Sequence, residues 1–332
     1  MASTAGASTA GAQRAAAKIP PAEEAVLYEK DPKTKIATIT FNRPNDLNAM
    51  SIDMRLRYSD LIHRANVDDD VKVLVIRGEG KHFGGGGDLP EQADMLSSTS
   101  KPSLLREFRI REDEGVKYPP GDSYRYLSSL VQLYANPNFG NRALQDFKKI
   151  SILEVKGYCY GWHFYQAADA DIIVTSDDAL FGHPSFRYVG WAPRMWQWAT
   201  MMGVRPFMEM VFTGRPFTAQ EMKDLHFVNS VVPRDQLEAE VKKYAMACAL
   251  CRPTDTVVMQ KTFFEVFKQE QGEYKGSIIA AWLESMLGQV KDEDQLKLGE
   301  ETFDRGLNNA VKDNDDLFPP DWRLSYGGRK RP

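Results

Sequence analysis

The chain has 332 residues, of which 42% are hydrophobic and 27% charged, and its formal net charge is −4. This composition is typical of a globular protein with one large or two small domains, and the acidic balance does not indicate a nucleic-acid partner. No segment approaches the roughly 18 to 20 apolar residues that span a bilayer, so we expect no membrane partner.

The first twenty residues repeat the sequence Ala-Ser-Thr-Ala-Gly and contain no apolar run. We therefore do not expect it to be a secretory signal, and its composition predicts disorder over 1–20. The chain contains three cysteines, an odd and low count that favours a reducing compartment. We therefore expect a cytoplasmic protein.

Strand and helix patterns alternate through the first two thirds of the chain, and helices dominate after about residue 193. The predicted elements are a strand at 36–41, a helix capped by Ser51 to about 66, strands at 71–76 and 152–155, a helix at about 163–169, a strand at 171–175, a short strand or turn at 181–182, and a strand at 227–232. This order predicts an α/β core with a C-terminal helical region.

Two further segments qualify this outline. Residues 90–147 are polar with scattered aromatics, and they are predicted to form a long, partly helical insertion, of the length that often serves as a lid. Cys248 and Cys251 have the spacing of half a zinc site. No second pair follows, and the helical run 237–250 favours core packing for both.

A glycine-rich loop, Gly84-Gly85-Gly86-Gly87-Asp88, follows the strand predicted at 71–76. Four glycines let the backbone turn sharply and approach a ligand, although a flexible turn alone would have the same composition. A second loop leads through Gly161-Trp162 into a helix, whose amino-terminal N–H groups point outward at the positive end of the helix dipole. One N–H from each loop would make an oxyanion hole.

Several stretches together resemble the crotonase superfamily of enoyl-CoA hydratases and isomerases, in family order and, outside the insertion, with family spacing. They are 39–44 with 47–50, 73–78, 83–89, 155–158 with Gly161, 168–171, 179–184, 212–219 and 228–233. The resemblance covers about residues 25–270.

The resemblance implies a ClpP-like spiral of ββα units, and it implies a homotrimer or homohexamer. It divides the chain into a tail (1–20), a core (21–250, with the insertion) and a C-terminal trimerisation region and tail (251–332). It also implies a coenzyme A thioester substrate, with coenzyme A as part of the substrate and no separate cofactor or metal. The oxyanion donors carried over are the N–H groups of Gly87 and Trp162.

The chain departs from the family at the two glutamates that its hydratases use as acid and base. Tyr165 and Ser185 occupy those positions, so hydration by the usual pair is not expected. Tyr165 offers a phenol, His183 could titrate near neutrality or be structural, and Ser185 could orient a water molecule or, beside a base, act as a nucleophile.

Seven further residues are candidates for binding substrate or coenzyme A: Asn48, Met50, Gly85, Gly86, Asp88, Trp191 and Lys261. Lys261 falls where family members place a basic residue that meets a phosphate, and the alternative is a solvated lysine. Asp88 could instead orient the loop, and Asp169 and Asp171 are expected to be structural. The side chain of Trp162 is expected in the core or at a subunit contact.

The predicted function is acyl-CoA processing of the enoyl-CoA hydratase/isomerase type, with non-standard acid and base residues. The many aromatic residues between 158 and 198 favour a bulky or cyclic acyl group, although core packing also explains some of them. Two alternatives stay open: a non-catalytic acyl-CoA-binding subunit, and a coenzyme A-independent carbonyl or C–C bond hydrolase of the same fold.

Overall fold

The computed structural model describes residues 19–89, 91, 115, 142–188, 192–285 and 307–326. Nearly all of the predicted disordered tail, most of the insertion and Trp191 lie outside these residues. Predictions about them stay predictions.

The described residues form two sheets. Their strands are β1 (Val26–Asp31), β2 (Ile36–Phe41), β3 (Val73–Gly78), β4 (Ile150–Val155), β5 (Tyr158–Tyr160), β6 (Ile172–Ser176), β7 (Leu180–Gly182), β8 (Phe217–Thr218) and β9 (Ser230–Val232). The main sheet has the order β1-β2-β3-β4-β6-β9, with β1 antiparallel to β2 and the other neighbours parallel. The second sheet has the order β5-β7-β8.

Helices cover the main sheet and dominate the second half of the chain. They are α1 (Ala22–Ala25), α2 (Ile52–Val67), α3 (Trp162–Asp169), α4 (Ser185–Tyr188), α5 (Met195–Met202), α6 (Val204–Thr213), α7 (Ala219–Asp224), α8 (Leu237–Leu250), α9 (Thr254–Glu270), α10 (Glu273–Ser285) and α11 (Leu307–Asp316). Ser51 caps α2 as predicted, because its side chain accepts the N–H of Met54 at 3.4 Å.

Strand β3 shows why the predicted core is an α/β core. Leu74 and Ile76 belong to the cluster that contains the apolar side of α2, whereas Val73 and Val75 pack with the buried residues of α8. Both faces of the strand are therefore covered, which explains its near-continuous apolar sequence.

The second sheet positions the glycine-rich loop against the start of α3. Strand β5 pairs with β7 in parallel, and Gly84 forms a bridge with Cys159 of β5. The first turn of α3 follows β5 directly, so the glycine-rich loop, the start of α3 and the end of β7 meet at one place.

Several boundaries differ from the prediction. Strand β3 begins at Val73 and extends to Gly78, because it pairs along the whole of β2, and β9 is confined to Ser230–Val232. Core packing was wrong for Cys251, which is exposed after the end of α8. Cys248 is half-buried and packs against the α8 cluster. In the part of the chain that the structure describes, no helix is long and apolar enough to cross a bilayer.

Candidate active site

The backbone of the glycine-rich loop is held by hydrogen bonds on both sides of Gly87. The donors and acceptors are Gly84 N–H to Tyr158 O (2.8 Å), Gly85 N–H to Leu47 O (2.7 Å), Gly86 N–H to His163 Nδ1 (3.1 Å) and Asp88 N–H to Met50 O (3.0 Å). Among the described residues the N–H of Gly87 has no acceptor. The loop therefore offers one backbone donor, at the position predicted for the oxyanion hole.

The start of α3 lies against this loop. A Cβ atom added to Gly86, where φ is +118°, would lie 3.5 Å from Gly161 Cα and 3.7 Å from Trp162 N. Trp162 is the first residue of α3, so its N–H lies at the positive end of the helix dipole. The geometry thus brings the two predicted donor segments into contact, and the positive φ of Gly86 favours glycine at that point.

The side chain of Trp162 lies in the core, as one of the two expectations held. It is 4% exposed, and its ring packs edge-on against Phe41 and Tyr58, with centroids 5.9 Å and 5.1 Å away. The indole therefore packs into the core, and the backbone N of Trp162 is the part of the residue that lies beside the glycine-rich loop.

His163 is a site residue that the sequence did not reveal. Its Nδ1 atom accepts the N–H of Gly86, and a Cβ atom on Gly84 would lie 2.0 Å from its Nε2 atom. Burial lowers the pKa of His163 to about 3, so the imidazole is neutral at physiological pH. His163 therefore joins α3, which begins at the predicted donor Trp162, to the loop that contains the predicted donor Gly87.

Three of the predicted catalytic side chains are hydrogen-bonded in a row. His183 Nε2 lies 3.0 Å from Tyr165 Oη, and His183 Nδ1 forms a hydrogen bond with Ser185 Oγ. The Tyr165 and His183 rings are stacked, with centroids 5.3 Å apart. Desolvation lowers the pKa of His183 to about 3, so this imidazole is also neutral at physiological pH. The two hydroxyl groups are linked through one ring.

The side chains of Asn48 and Asp88 hold the glycine-rich loop in place through hydrogen bonds and an ion pair. The Asn48 amide donates to the carbonyl oxygens of Glu79 (3.0 Å) and His82 (2.9 Å), and Asp88 forms a buried ion pair with Arg43 at 3.0 Å. Asp88 therefore orients the loop, which was the alternative kept for it. Met50 is fully buried and its backbone bridges Gly87.

Lys261 lies apart from this cluster, on α9. Its Nζ atom pairs with Asp171 Oδ1 at 2.5 Å, and the side chain is 13% exposed. Burial lowers the pKa of Lys261, while the Asp171 carboxylate acts in the opposite direction. A role in binding a phosphate stays a prediction, and it would require Lys261 to leave this ion pair.

The C-terminal segment also reaches the site. Arg187 of α4, two residues after Ser185, forms a buried ion pair with Asp315 of α11 at 2.9 Å. Tyr326 stacks on Tyr158, with centroids 4.7 Å apart, and Tyr160 Oη donates to Leu324 O at 2.8 Å. Nothing in the sequence pattern indicated that these residues meet.

Two family models described as enoyl-CoA hydratase/isomerase match the chain, over residues 134–303 and 36–112. The chain belongs to the enoyl-CoA hydratase/isomerase family, and the expected superfamily and fold are confirmed.

Individual relatives are distant. A peroxisomal Delta(3,5)-Delta(2,4)-dienoyl-CoA isomerase of Arabidopsis thaliana is 27% identical over 62% of this chain and 68% of its own. A hydroxycinnamoyl-CoA hydratase-lyase of Pseudomonas fluorescens is 27% identical over 61% of this chain and 65% of its own. A crystal structure of an enoyl-CoA hydratase of Mycobacterium smegmatis superposes with a TM-score of 0.72 at 23% identity, covering 88% of this chain and 94% of that one, and shows the fold. At family level, the relatives support an enzyme of the acyl-CoA-processing type.

Proposed function

We propose that this chain binds an acyl-CoA thioester with its carbonyl oxygen on the N–H groups of Gly87 and Trp162, and moves protons through Tyr165, His183 and Ser185. The observation that carries the proposal is the shared imidazole. The two hydroxyl groups that stand where family hydratases keep their glutamates are both hydrogen-bonded to His183.

The oxyanion donors supply the electrostatic half of the mechanism. As the thioester becomes an enolate or a tetrahedral intermediate, negative charge develops on its oxygen. Fixed N–H groups stabilise that charge without reorganising, and losing one donor typically costs about a hundredfold or more in rate.

The hydrogen-bonded row supplies the proton-transfer half. A neutral imidazole carries one proton, so it donates to one hydroxyl and accepts from the other. When a proton enters at one hydroxyl and another leaves at the opposite one, the imidazole changes tautomer and no charge remains. Because burial lowers the pKa of His183 to about 3, the ring is suited to passing protons rather than holding an extra one.

The acyl group in this proposal is bulky or cyclic, and coenzyme A enters as part of the substrate. The support is the aromatic surroundings of the proton relay: Trp198 lies 5.6 Å from the Tyr165 ring and 5.7 Å from the His183 ring. The Pseudomonas relative is named for a ring-bearing hydroxycinnamoyl group.

The test is a double-mutant cycle on a panel of unsaturated and saturated acyl-CoA esters, scored by turnover and by exchange of the α-proton in heavy water. Tyr165→Phe and Ser185→Ala should each lower kcat about a hundredfold. The double variant should lose little more than either single one, because the two hydroxyl groups act through one ring. Gly87→Pro, with folding confirmed, should abolish turnover.

Tyr28→Phe is the matched control, since it removes a buried phenol hydroxyl on β1, the edge strand of the main sheet. It should leave kcat unchanged. Additive losses in the cycle would show that the relay does not act as a unit, and normal turnover in Gly87→Pro would refute the oxyanion assignment.

Thioester hydrolysis is a second candidate, favoured by the contact between Ser185 Oγ and His183 Nδ1. With the ring proton on Nε2, Nδ1 can accept the Ser185 proton as Oγ attacks the thioester carbon. The C–S bond then breaks, coenzyme A leaves as the thiol with that proton, and a water molecule hydrolyses the Ser185 ester to the free acid. An acyl ester on Ser185, found by mass spectrometry after rapid quenching, would establish this route. Binding without turnover would indicate an acyl-CoA-binding subunit, and the absence of any affinity for coenzyme A esters would indicate a coenzyme A-independent hydrolase.

A further inference from the structure

Arg194 is a buried cation whose hydrogen-bonding groups are mostly unused. Its Nε atom donates to Asp169 Oδ2 at 3.3 Å, and the two residues are 0% and 2% exposed. Among the described residues, neither Nη1 nor Nη2 has a hydrogen-bond partner, and Asp169 Oδ1 has none either. A buried guanidinium normally has its donors satisfied, so this end of Arg194 is poised for an acceptor that is brought by a ligand.

The position of the Arg194–Asp169 pair connects it to the proton relay. Asp169 lies four residues after Tyr165 on α3, one turn farther along the same face. Arg194 lies four residues before Trp198, and the backbone N–H of Trp198 donates to the carbonyl oxygen of Arg194 at 3.1 Å. The indole ring of Trp198 in turn packs against the rings of Tyr165 and His183. The pair is thus one turn beyond the relay, on the side away from the oxyanion donors at the start of α3.

We propose, building on the proposed function, that the two Nη groups of Arg194 bind a carboxylate carried by the acyl group of the substrate. Two parallel N–H donors match the two oxygens of a carboxylate and favour it over a neutral group. The coenzyme A portion must run from the thioester to solvent. A group that reaches the fully buried Arg194 therefore belongs to the acyl chain.

Neighbouring carboxylates among the described residues leave both Nη groups of Arg194 without a hydrogen bond. Desolvation raises the pKa of Asp169 to about 6, so its carboxylate is mostly ionised at pH 7, but it accepts a hydrogen bond from Arg194 through the Nε atom alone. Glu273, another buried carboxylate of this region, is engaged by Arg142 at 3.3 Å and by Gln197 at 2.8 Å. Gln166 Nε2, three residues before Asp169 on α3, is a further buried donor with no partner among the described residues.

The experiment compares matched ligands on the wild-type protein by calorimetry. Succinyl-, glutaryl- and adipyl-CoA are each paired with the same thioester ending in a carboxamide, which has similar shape and no charge. For the chain length that fits, we expect the acid to bind at least about tenfold more tightly than its amide. In Arg194→Gln this preference should disappear.

Arg142→Gln is the matched control, because Arg142 is also buried but has Glu273 and Asp146 as partners. It should leave the acid-to-amide ratio unchanged. Equal affinities for acid and amide in the wild-type protein would overturn the carboxylate site while leaving the proposed function intact. If no acyl-CoA ester binds, both proposals fail. The wild-type comparison decides the matter even if Arg194→Gln does not fold.

Discussion

At the scale of single residues, His163 connects the two halves of the proposed oxyanion hole. Its Nδ1 atom accepts the N–H of Gly86, the residue before the proposed donor Gly87, while its own backbone follows Trp162. A movement of the glycine-rich loop relative to α3 must therefore break a buried hydrogen bond, which costs about 1–3 kcal/mol when the donor is left unpaired.

We expect His163→Phe to fold with reduced stability and to lower kcat about tenfold or more, with a smaller effect on KM, because a larger aromatic ring replaces the imidazole and the acceptor is lost. His163→Asn should restore much of kcat, since its Oδ1 atom can take the place of Nδ1. Steady-state kinetics on the best acyl-CoA ester measures both. An unchanged kcat in His163→Phe would rule out a positioning role.

The pH dependence of stability gives a second readout of the same variants. The pKa of His163 is about 3 in the folded chain and about 6.5 when unfolded, so the unfolded state alone takes up a proton as the pH falls below 6.5. His163 therefore lowers the free energy of unfolding by about 2 kcal/mol between pH 7 and pH 5. Urea titrations at both values should show a drop smaller by this amount in His163→Phe and His163→Asn.

At the scale of elements, α4 is held in place by contacts with segments that are distant in the sequence. It is a helix of four residues that carries Ser185 at its start, and Arg187 in the same turn donates to Asp315 of α11 and to the carbonyl oxygen of Gly214. A helix this short is not stable alone. The C-terminal segment is therefore part of what positions Ser185.

Asp315→Asn should lower the free energy of unfolding by about 3 kcal/mol, because it leaves the Arg187 guanidinium buried and without its counterion. It should also lower kcat through Ser185. Asp316→Asn is the matched control: its ion pair with Arg323 is 21% and 51% exposed, whereas the Arg187–Asp315 pair is 1% and 2% exposed. The control should cost less than about 1 kcal/mol. If urea titrations gave equal losses of unfolding free energy for Asp315→Asn and Asp316→Asn, the buried ion pair would contribute no more to stability than the exposed one.

At the scale of the whole molecule, the α/β core could be predicted from the sequence because its strands are apolar and its helices are periodic. Strand β1 was missed because, as an edge strand, it buries only Val26 completely. The glycine-rich loop was found from its composition and its place after a strand, and the residues of the proposed proton relay were found through the family resemblance. Their hydrogen bonds were not, because tertiary structure alone joins Tyr165 to His183, 18 residues apart, and Arg187 to Asp315, 128 residues apart.

The part of the chain that the structure describes leaves apolar side chains exposed on one face of α9 and on one face of α6. On α9, the side chains of Met259, Phe263 and Phe267 recur at every fourth residue and are 72%, 63% and 51% exposed. On α6, Val204, Met208 and Phe212 repeat the same spacing, and Phe212 is 76% exposed. Exposed apolar surface of this extent is typical of a protein–protein interface.

We therefore predict that the protein assembles in solution as a homotrimer or homohexamer, and that Phe263→Glu combined with Phe267→Glu shifts it towards the monomer. Two buried carboxylates at such an interface would lack partners, and their desolvation opposes association. Light scattering coupled to size-exclusion chromatography measures the mass directly. Lys242→Glu, at an exposed position on α8, is the control and should leave the mass unchanged. A monomeric wild-type protein at micromolar concentration would contradict the prediction, and the apolar face would then have to bind a different partner.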